Sequence, residues 1–333
     1  MIKKYICNII EIPLLYLFFR RNYKQQKLFM KETILLDTEG IKQQKDQSLT
    51  EKDIRKIKHY YGLAVPIIGE IFCVLRGNRI TLSERKTLTY LGGLTGLFDD
   101  FFDEKHTPEN HIKELINNPT LEICRNSHER LFIVFYLKAL AQEDNDRIKE
   151  SFNIVYNAQI LSKKQSDADL SYEDILSITK QKGSVSMLFY RSALQGNFVG
   201  SEKELLIHIG LLGQLENDIF DIYKDYQDQI YTLATTTKSI ADLCSRYKLI
   251  MNEVWMLLEQ TDFPKRNKMK FARCIAIIAS RGLVCLDQLK KLEDENLFEL
   301  SKYSRDQLIC DMRKFKSIYK WLGFYFNWNI NTK

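Results

Sequence analysis

The chain has 333 residues, 45% of them hydrophobic, which is enough apolar material for a continuous core and argues against disorder except near the ends. Only five prolines and 14 glycines are present, and no proline lies between Pro119 and Pro264, a gap too long for a protein of strands and tight turns; helix is expected instead. Lys and Arg number 49 against 43 Asp and Glu, a mild basic excess that reads as spread along the chain: anionic ligands or an anionic membrane surface suit it, and no basic tract alternating with aromatics points to nucleic acid.

From the amino terminus, Tyr5 to Phe19 is apolar but interrupted by Asn8, Glu11 and Pro13, and Arg20-Arg21 follows. The stretch is too short and broken to span a bilayer, and its charge order is wrong for a secretory signal. Two readings fit it: a helix docked on the domain, or an interfacial anchor. Residues 1–45 are assigned to this segment and its linker, and 46–330 to one all-α domain of about ten helices without repeats.

Helix starts are expected at capping boxes, where a hydroxyl residue is followed three positions later by a carboxylate. Ser48-x-x-Glu51, Thr81-x-x-Glu84 and Ser201-x-x-Glu204 fit, and Ser171-x-x-Asp174 is a weaker version. Stops are expected at Lys105–Pro108 and at Phe263-Pro264-Lys265, with loops at Gly40–Gln47 and Ser162–Asp169. The seven cysteines (Cys7, Cys73, Cys124, Cys244, Cys274, Cys285, Cys310) form no CxxC pair and read as free thiols of the cytoplasm.

Two acidic clusters carry the chemistry. In Phe98-Asp99-Asp100-Phe101-Phe102-Asp103, Asp99 and Asp103 fall one helical turn apart with Asp100 beside them. Carboxylates this close repel unless a cation neutralises them, and an oxygen-only donor set suits Mg²⁺, with Mn²⁺ as a substitute. In Asn217-Asp218-Ile219-Phe220-Asp221-Ile222-Tyr223-Lys224-Asp225, Asn217, Asp221 and Asp225 repeat every four residues, and Lys224 is placed to contact a phosphate or to pair on the surface. At about 1.5 Å per residue both clusters lie roughly 24–27 Å beyond their helix starts, near the C-terminal ends. If the two helices are parallel neighbours, the clusters face each other. Thr95 and Gly92 lie deeper on the first stripe, Gly213 and Gly210 on the second. They serve either close helix packing or an apolar cavity.

These residues resemble the class I isoprenoid synthase superfamily of terpene cyclases, prenyl diphosphate synthases and squalene or phytoene synthases. Asp99-Asp100-x-x-Asp103 matches its DDxxD motif in full. Asn217-Asp218-x-x-Asp221-x-x-x-Asp225 has the spacing of the second metal motif, with Asp221 where Ser or Thr is usual and Asp225 where Glu is usual. Gly213-Gln214-x-x-Asn217-Asp218-x-x-Asp221 equally resembles the second aspartate-rich motif of prenyl diphosphate synthases. Thr179-Lys180-Gln181-Lys182-Gly183-Ser184 is similar to a lysine-bearing segment at a helix break that contacts diphosphate, Lys182 being the better match and Lys180 the reserve.

The resemblance implies a helical bundle around a cavity, with Mg²⁺ bridging Asp99, Asp100, Asp103, Asn217, Asp218, Asp221 and Asp225 to the diphosphate of an isoprenoid substrate. It also implies an arginine that senses diphosphate, for which Arg191 and Arg305 are the candidates, and closure by the aromatic segment from Tyr319 to Trp328. No Arg-Arg pair follows the first motif, where Glu104-Lys105-His106-Thr107-Pro108 stands, which disfavours chain elongation. A terpene synthase acting on a substrate of diterpene size or longer is expected. The alternatives are a prenyl diphosphate synthase, a squalene/phytoene-type prenyltransferase, and a non-enzymatic divalent-cation-binding scaffold. Expected partners are the isoprenoid diphosphate, a membrane surface at the amino-terminal segment and a second copy in a homodimer, with no nucleic acid. His106 and His111 lie five apart around Pro108, poor spacing for a metal hydrolase.

Overall fold

In the computed structural model, residues 2–42, 46–141, 145–294 and 297–328 are described, with no side-chain description at 2–7, 42 and 60. Helix makes up 78% of the chain, and no strand occurs among the described residues. The elements in order are α1 (Ile2–Lys31), α2 (Ile34–Lys42), α3 (Glu51–Lys56), a π turn (Ile57–Tyr61), α4 (Gly62–Arg76), α5 (Leu82–Asp103), α6 (Glu109–Asn117) and α7 (Ser127–Leu140). They continue as α8 (Asn145–Ser162), α9 (Tyr172–Ser192), α10 (Glu202–Phe220), α11 (Ile222–Gln227), α12 (Leu233–Thr236), α13 (Ile240–Gln260), α14 (Lys265–Lys290), α15 (Arg305–Leu308) and α16 (Phe315–Asn327).

Local sequence explains most boundaries. Thr81 and Glu84 close both arms of the expected capping box at the start of α5. At α3 the box is Thr50 with Asp53, because Ser48 turns its hydroxyl to Asp46. Ser171 accepts from the Asp174 amide at the head of α9. Ser201 makes no cap bond; instead the Glu202 carboxylate accepts from the Val199 amide ahead of α10. The stops at Lys105–Pro108 and Pro264 fall as the sequence predicts. Of the expected loops, residues 40–42 extend α2, 43–45 lie outside the described residues, and Lys163–Ser166 form a 3₁₀ turn.

The chain divides into two compact units. The amino-terminal unit comprises Tyr16–Tyr156 and Phe189–Gly196. In it α5 packs against α4 and α7, and α2 against α7. Phe98, Phe101, Phe132, Tyr136, Phe152 and Phe189 form one buried aromatic cluster with ring centroids about 5–6 Å apart. Gly92 is where α5 meets the π turn: a Cβ there would lie 2.5 Å from the Tyr61 carbonyl oxygen.

The carboxy-terminal unit comprises Met1–Leu15, Asn157–Leu188 and Asn197–Lys333. There α10, α13 and α14 pack on one another and α16 on α14, where the Trp321 indole donates to the Ile277 carbonyl at 2.6 Å. α9 and α10 meet backbone to backbone. A Cβ on Gly183 would lie 2.1 Å from the Gly210 oxygen, and one on Gly210 would lie 2.4 Å from the Gly183 oxygen. Gly92 and Gly210 are therefore packing glycines, the first of the two readings left open by the sequence. Gly210→Ala is expected to destabilise the protein by about 1–3 kcal/mol through forced separation of α9 and α10, read as a lower urea midpoint. Gly213→Ala, whose Cβ would meet only Met187 at 3.9 Å, should leave the midpoint nearly unchanged.

Candidate functional site

In the carboxy-terminal unit, the second acidic cluster spans the end of α10 and the start of α11. Asp221 sits at the junction, and the amides of Asp221 and Asp225 donate to the carbonyls of Asn217 and Asp221, each at 2.9 Å. The four-residue repeat therefore survives the break, and Asn217, Asp221 and Asp225 stay on one stripe. Asn217 donates to Asp221 Oδ2 at 3.3 Å. Asp218 points inward, where Gln214 donates to its Oδ1 at 2.8 Å and its Oδ2 has no hydrogen-bond partner.

Burial pushes the Asp218 carboxyl up to about 6 and raises Asp221. Burial, reinforced by the charges of Asp218 and Asp221, pushes Asp225 up to about 7. The Lys182 ammonium on α9 opposes the rise at all three carboxyls, and Lys224 opposes it at Asp221 and Asp225. Lys224 also pairs with Asp228 at 3.3 Å. Lys180 is exposed on the same helix as Lys182. α9 is continuous through both lysines, so the helix break expected from the resemblance is absent.

In the amino-terminal unit the first cluster separates into two environments. Asp99 accepts from the Tyr61 hydroxyl at 3.2 Å, Asp103 is exposed, and one turn deeper Thr95 meets the Tyr190 hydroxyl at 3.1 Å. The Asp99 charge and burial raise Tyr61 well above its ordinary value, so its proton stays on as a donor. Asp100 turns the other way, is fully buried and pairs with Lys56. There it lies close to Asp53 and Glu104, an acidic triad able to hold a metal ion. Lys56 and Lys52 pair with Glu104, and Lys105 lies 3.9 Å from Asp53, so three ammonium groups already balance these carboxylates.

Burial pushes Asp100 up to about 6 against the pull of Lys56. His128, buried on Phe101 at 5.1 Å, is pushed by burial down to about 4 and stays neutral. Arg191 is buried, with its guanidinium on the carbonyls of Leu194 and Gly196, whereas Arg305 is exposed at the head of α15. His111 is hydrogen-bonded to Glu129 at 3.0 Å, and His106 lies in the loop after α5.

Several neighbours carry no sequence signal. Asp53, Lys56 and Tyr61 lie on earlier elements with no motif spacing to Asp99 or Asp100. Glu216, beside Asn217 in sequence, turns to Tyr247 and Arg281, and burial pushes it up to about 7. Among the described residues the six cysteines other than Cys7 are free thiols. No protein-family model matches the chain, and no curated protein matches it.

Two outcomes follow from this geometry. Asp100→Asn should cost about 1–3 kcal/mol of stability by stranding Lys56, while Asp103→Asn stays within about 0.5 kcal/mol of the parent, as measured by denaturant titration. Asp218, Asp225 and Glu216 bind protons more tightly folded than unfolded. Metal-free stability should therefore fall as pH rises from roughly 4, the unfolded carboxylate value, to roughly 7. Above pH 7 added Mg²⁺ should restore part of that loss, whereas at pH 5, with these carboxyls protonated, it should restore little; melting curves with and without Mg²⁺ test both.

Proposed function

We propose that the protein is a magnesium-dependent enzyme of the class I isoprenoid synthase type, a terpene synthase acting on an allylic diphosphate of diterpene size or longer. The observation that carries this reading is the placement of Lys182 on α9 against Asp218, Asp221 and Asp225 at the α10–α11 junction. Clustered carboxylates with a nearby ammonium are the composition needed to hold both a hard cation and the phosphate oxygens that it shares. The all-helical architecture agrees with the reading.

The donor set fits magnesium. It is made of oxygens, and Asn217, Asp221 and Asp225 share one stripe across the α10–α11 junction. Asn217, Asp221 and Asp225 are assigned as ligands in the carboxy-terminal unit, and Asp99 and Asp103 in the amino-terminal unit. Bound magnesium supplies charge neutralisation for the leaving diphosphate. Asp100 is assigned to holding Lys56 and α3, because its carboxylate faces that lysine.

The reaction breaks the allylic carbon–oxygen bond. Diphosphate leaves with the electron pair. The carbocation, directly or after closing on an internal double bond to give a new cation, then loses a proton to the departed diphosphate to give a hydrocarbon or captures water and releases a proton to give an alcohol. Lys182 is assigned to a phosphate oxygen, with Lys224 at the rim. Tyr61 and Tyr190 keep their protons and offer hydroxyl dipoles beside Asp99.

Purified protein with Mg²⁺ and allylic diphosphates of increasing length, each with and without isopentenyl diphosphate, should release hydrocarbons or alcohols from a single allylic substrate by mass spectrometry. Asp99→Ala and Asp221→Ala should each lower kcat/KM by about a hundredfold or more, and Lys182→Ala by about tenfold or more. Longer diphosphates formed only with isopentenyl diphosphate would replace this reading with chain elongation. Cation binding without turnover of any substrate would leave a helical scaffold.

A further inference from the structure

α1 is built inside out. Its buried positions include Asn8, Asn22 and Gln26, whereas Ile10, Leu14 and Leu17 are 64%, 60% and 56% exposed. Two of these polar side chains answer open carbonyls. Gln26 donates at 2.9 Å to the Gly62 carbonyl, the one whose helical partner would be the amide of residue 66, and residue 66 is a proline without that hydrogen. Asn8 donates to the carbonyls of Phe326 and Trp328 at 3.2 and 3.0 Å, at the end of α16 where carbonyls lack helical partners. These bonds fix the rotation of α1 at two places. Ile10, Leu14 and Leu17 therefore face outward in the register those bonds impose, while Leu15 and Met30 are buried.

The outward stripe runs Ile10, Leu14, Leu17, Arg21, Lys24, Leu28, Lys31, at the spacing of one helix face, and all seven are exposed. Ile9, Tyr16 and Tyr23 flank it, exposed as well, and so do Arg20 and Lys27. The charge is concentrated in the same element. α1 carries seven of the 49 basic residues and one of the 43 acidic residues, which leaves 42 of each in the rest of the chain. The entire net charge of +6 thus sits in α1, a correction to the even spread read from composition. The other long apolar stretch, Glu51–Arg76, spends its side chains differently: Val65, Ile71, Phe72 and Leu75 are buried.

We propose that the exposed face of α1 is a binding surface for anionic phospholipid bilayers. It lies flat in the interface, with Ile10, Leu14 and Leu17 reaching the acyl boundary, the tyrosines at headgroup depth, and Arg20, Arg21, Lys24, Lys27 and Lys31 on the phosphates. Charge complementarity selects this occupant. A second copy would bring the five cations Arg20, Arg21, Lys24, Lys27 and Lys31 against five like charges, whereas an anionic leaflet attracts them all. The inference does not depend on the chemistry proposed above, and its test uses no substrate.

The full chain is floated with vesicles of phosphatidylcholine alone or of phosphatidylcholine mixed with phosphatidylglycerol, at low and high salt. Binding is expected only to the mixed vesicles, weakened by salt. Leu14→Asp/Leu17→Asp and Arg21→Glu/Lys24→Glu should each weaken it about tenfold or more, with unchanged far-ultraviolet circular dichroism since all four positions are exposed. Retained binding in both double variants would overturn the assignment, as would absence of binding to the mixed vesicles by the parent chain. A parent dimer that Leu14→Asp/Leu17→Asp converts to monomer, with no vesicle binding by either, would overturn it in favour of self-association.

Discussion

The contact between Gly183 and Gly210 governs the carboxy-terminal unit. Ser184 donates to the Ile207 carbonyl at 3.0 Å, and Gly183 sits on Gly210 and Gln214, so α9 and α10 run antiparallel with their backbones touching. Two glycines inside helices cost roughly 1 kcal/mol each in propensity. What that cost sustains is placement. Lys182 immediately precedes the contact and therefore leans toward the C-terminal end of α10, where Asp218 and Asp221 lie. A bulkier residue at either glycine would push the ammonium away from the carboxylates before it reached anything else.

Electrostatics makes the same point at both clusters. Burial disfavours the charged carboxylate at both, and at Asp99 and Asp100 the last turn of α5 adds the negative end of its dipole. The two units answer it differently. Around Asp100 the answer is internal, with Lys52, Lys56 and Lys105 set against Asp53, Asp100 and Glu104. At Asp218 and Asp225 burial is the larger cause, holding the carboxyls protonated up to about 6 and 7 as it holds Asp100 up to about 6, and Lys182 opposes it. The difference lies in the partners: Asp100 meets the Lys56 ammonium directly, whereas Asp218 meets the Gln214 amide.

That contrast marks where the sequence stops being legible. The helix starts at Thr81 and Ser171, the stops at Pro108 and Pro264, and the four-residue stripe at Asn217 rest on local rules, and the structure follows them. Adjacent aspartates within one motif are different. Asp99 and Asp100 are 100° apart around a helix, and which of them meets a lysine depends on α3, brought there by tertiary packing. The uninterrupted course of α9 was equally hidden, because Gly183 resembles a breaker until Gly210 is seen to require it. Arg191 looked available as a cation and is instead spent on main-chain carbonyls at the end of its own helix.

The inverted polarity of α1 was the least legible feature, because its cause lies in other elements. A proline at position 66 leaves the Gly62 carbonyl open, and the end of α16 leaves others. The uncharged amides of Asn8 and Gln26 donate to these carbonyls without burying a charge, and so face inward. Helical geometry then dictates that residues two or so positions away, Ile10 and Leu28 among them, face outward. An apolar pattern that looks like a core stripe in sequence is in this way turned to solvent by the hydrogen-bond demands of two other helices.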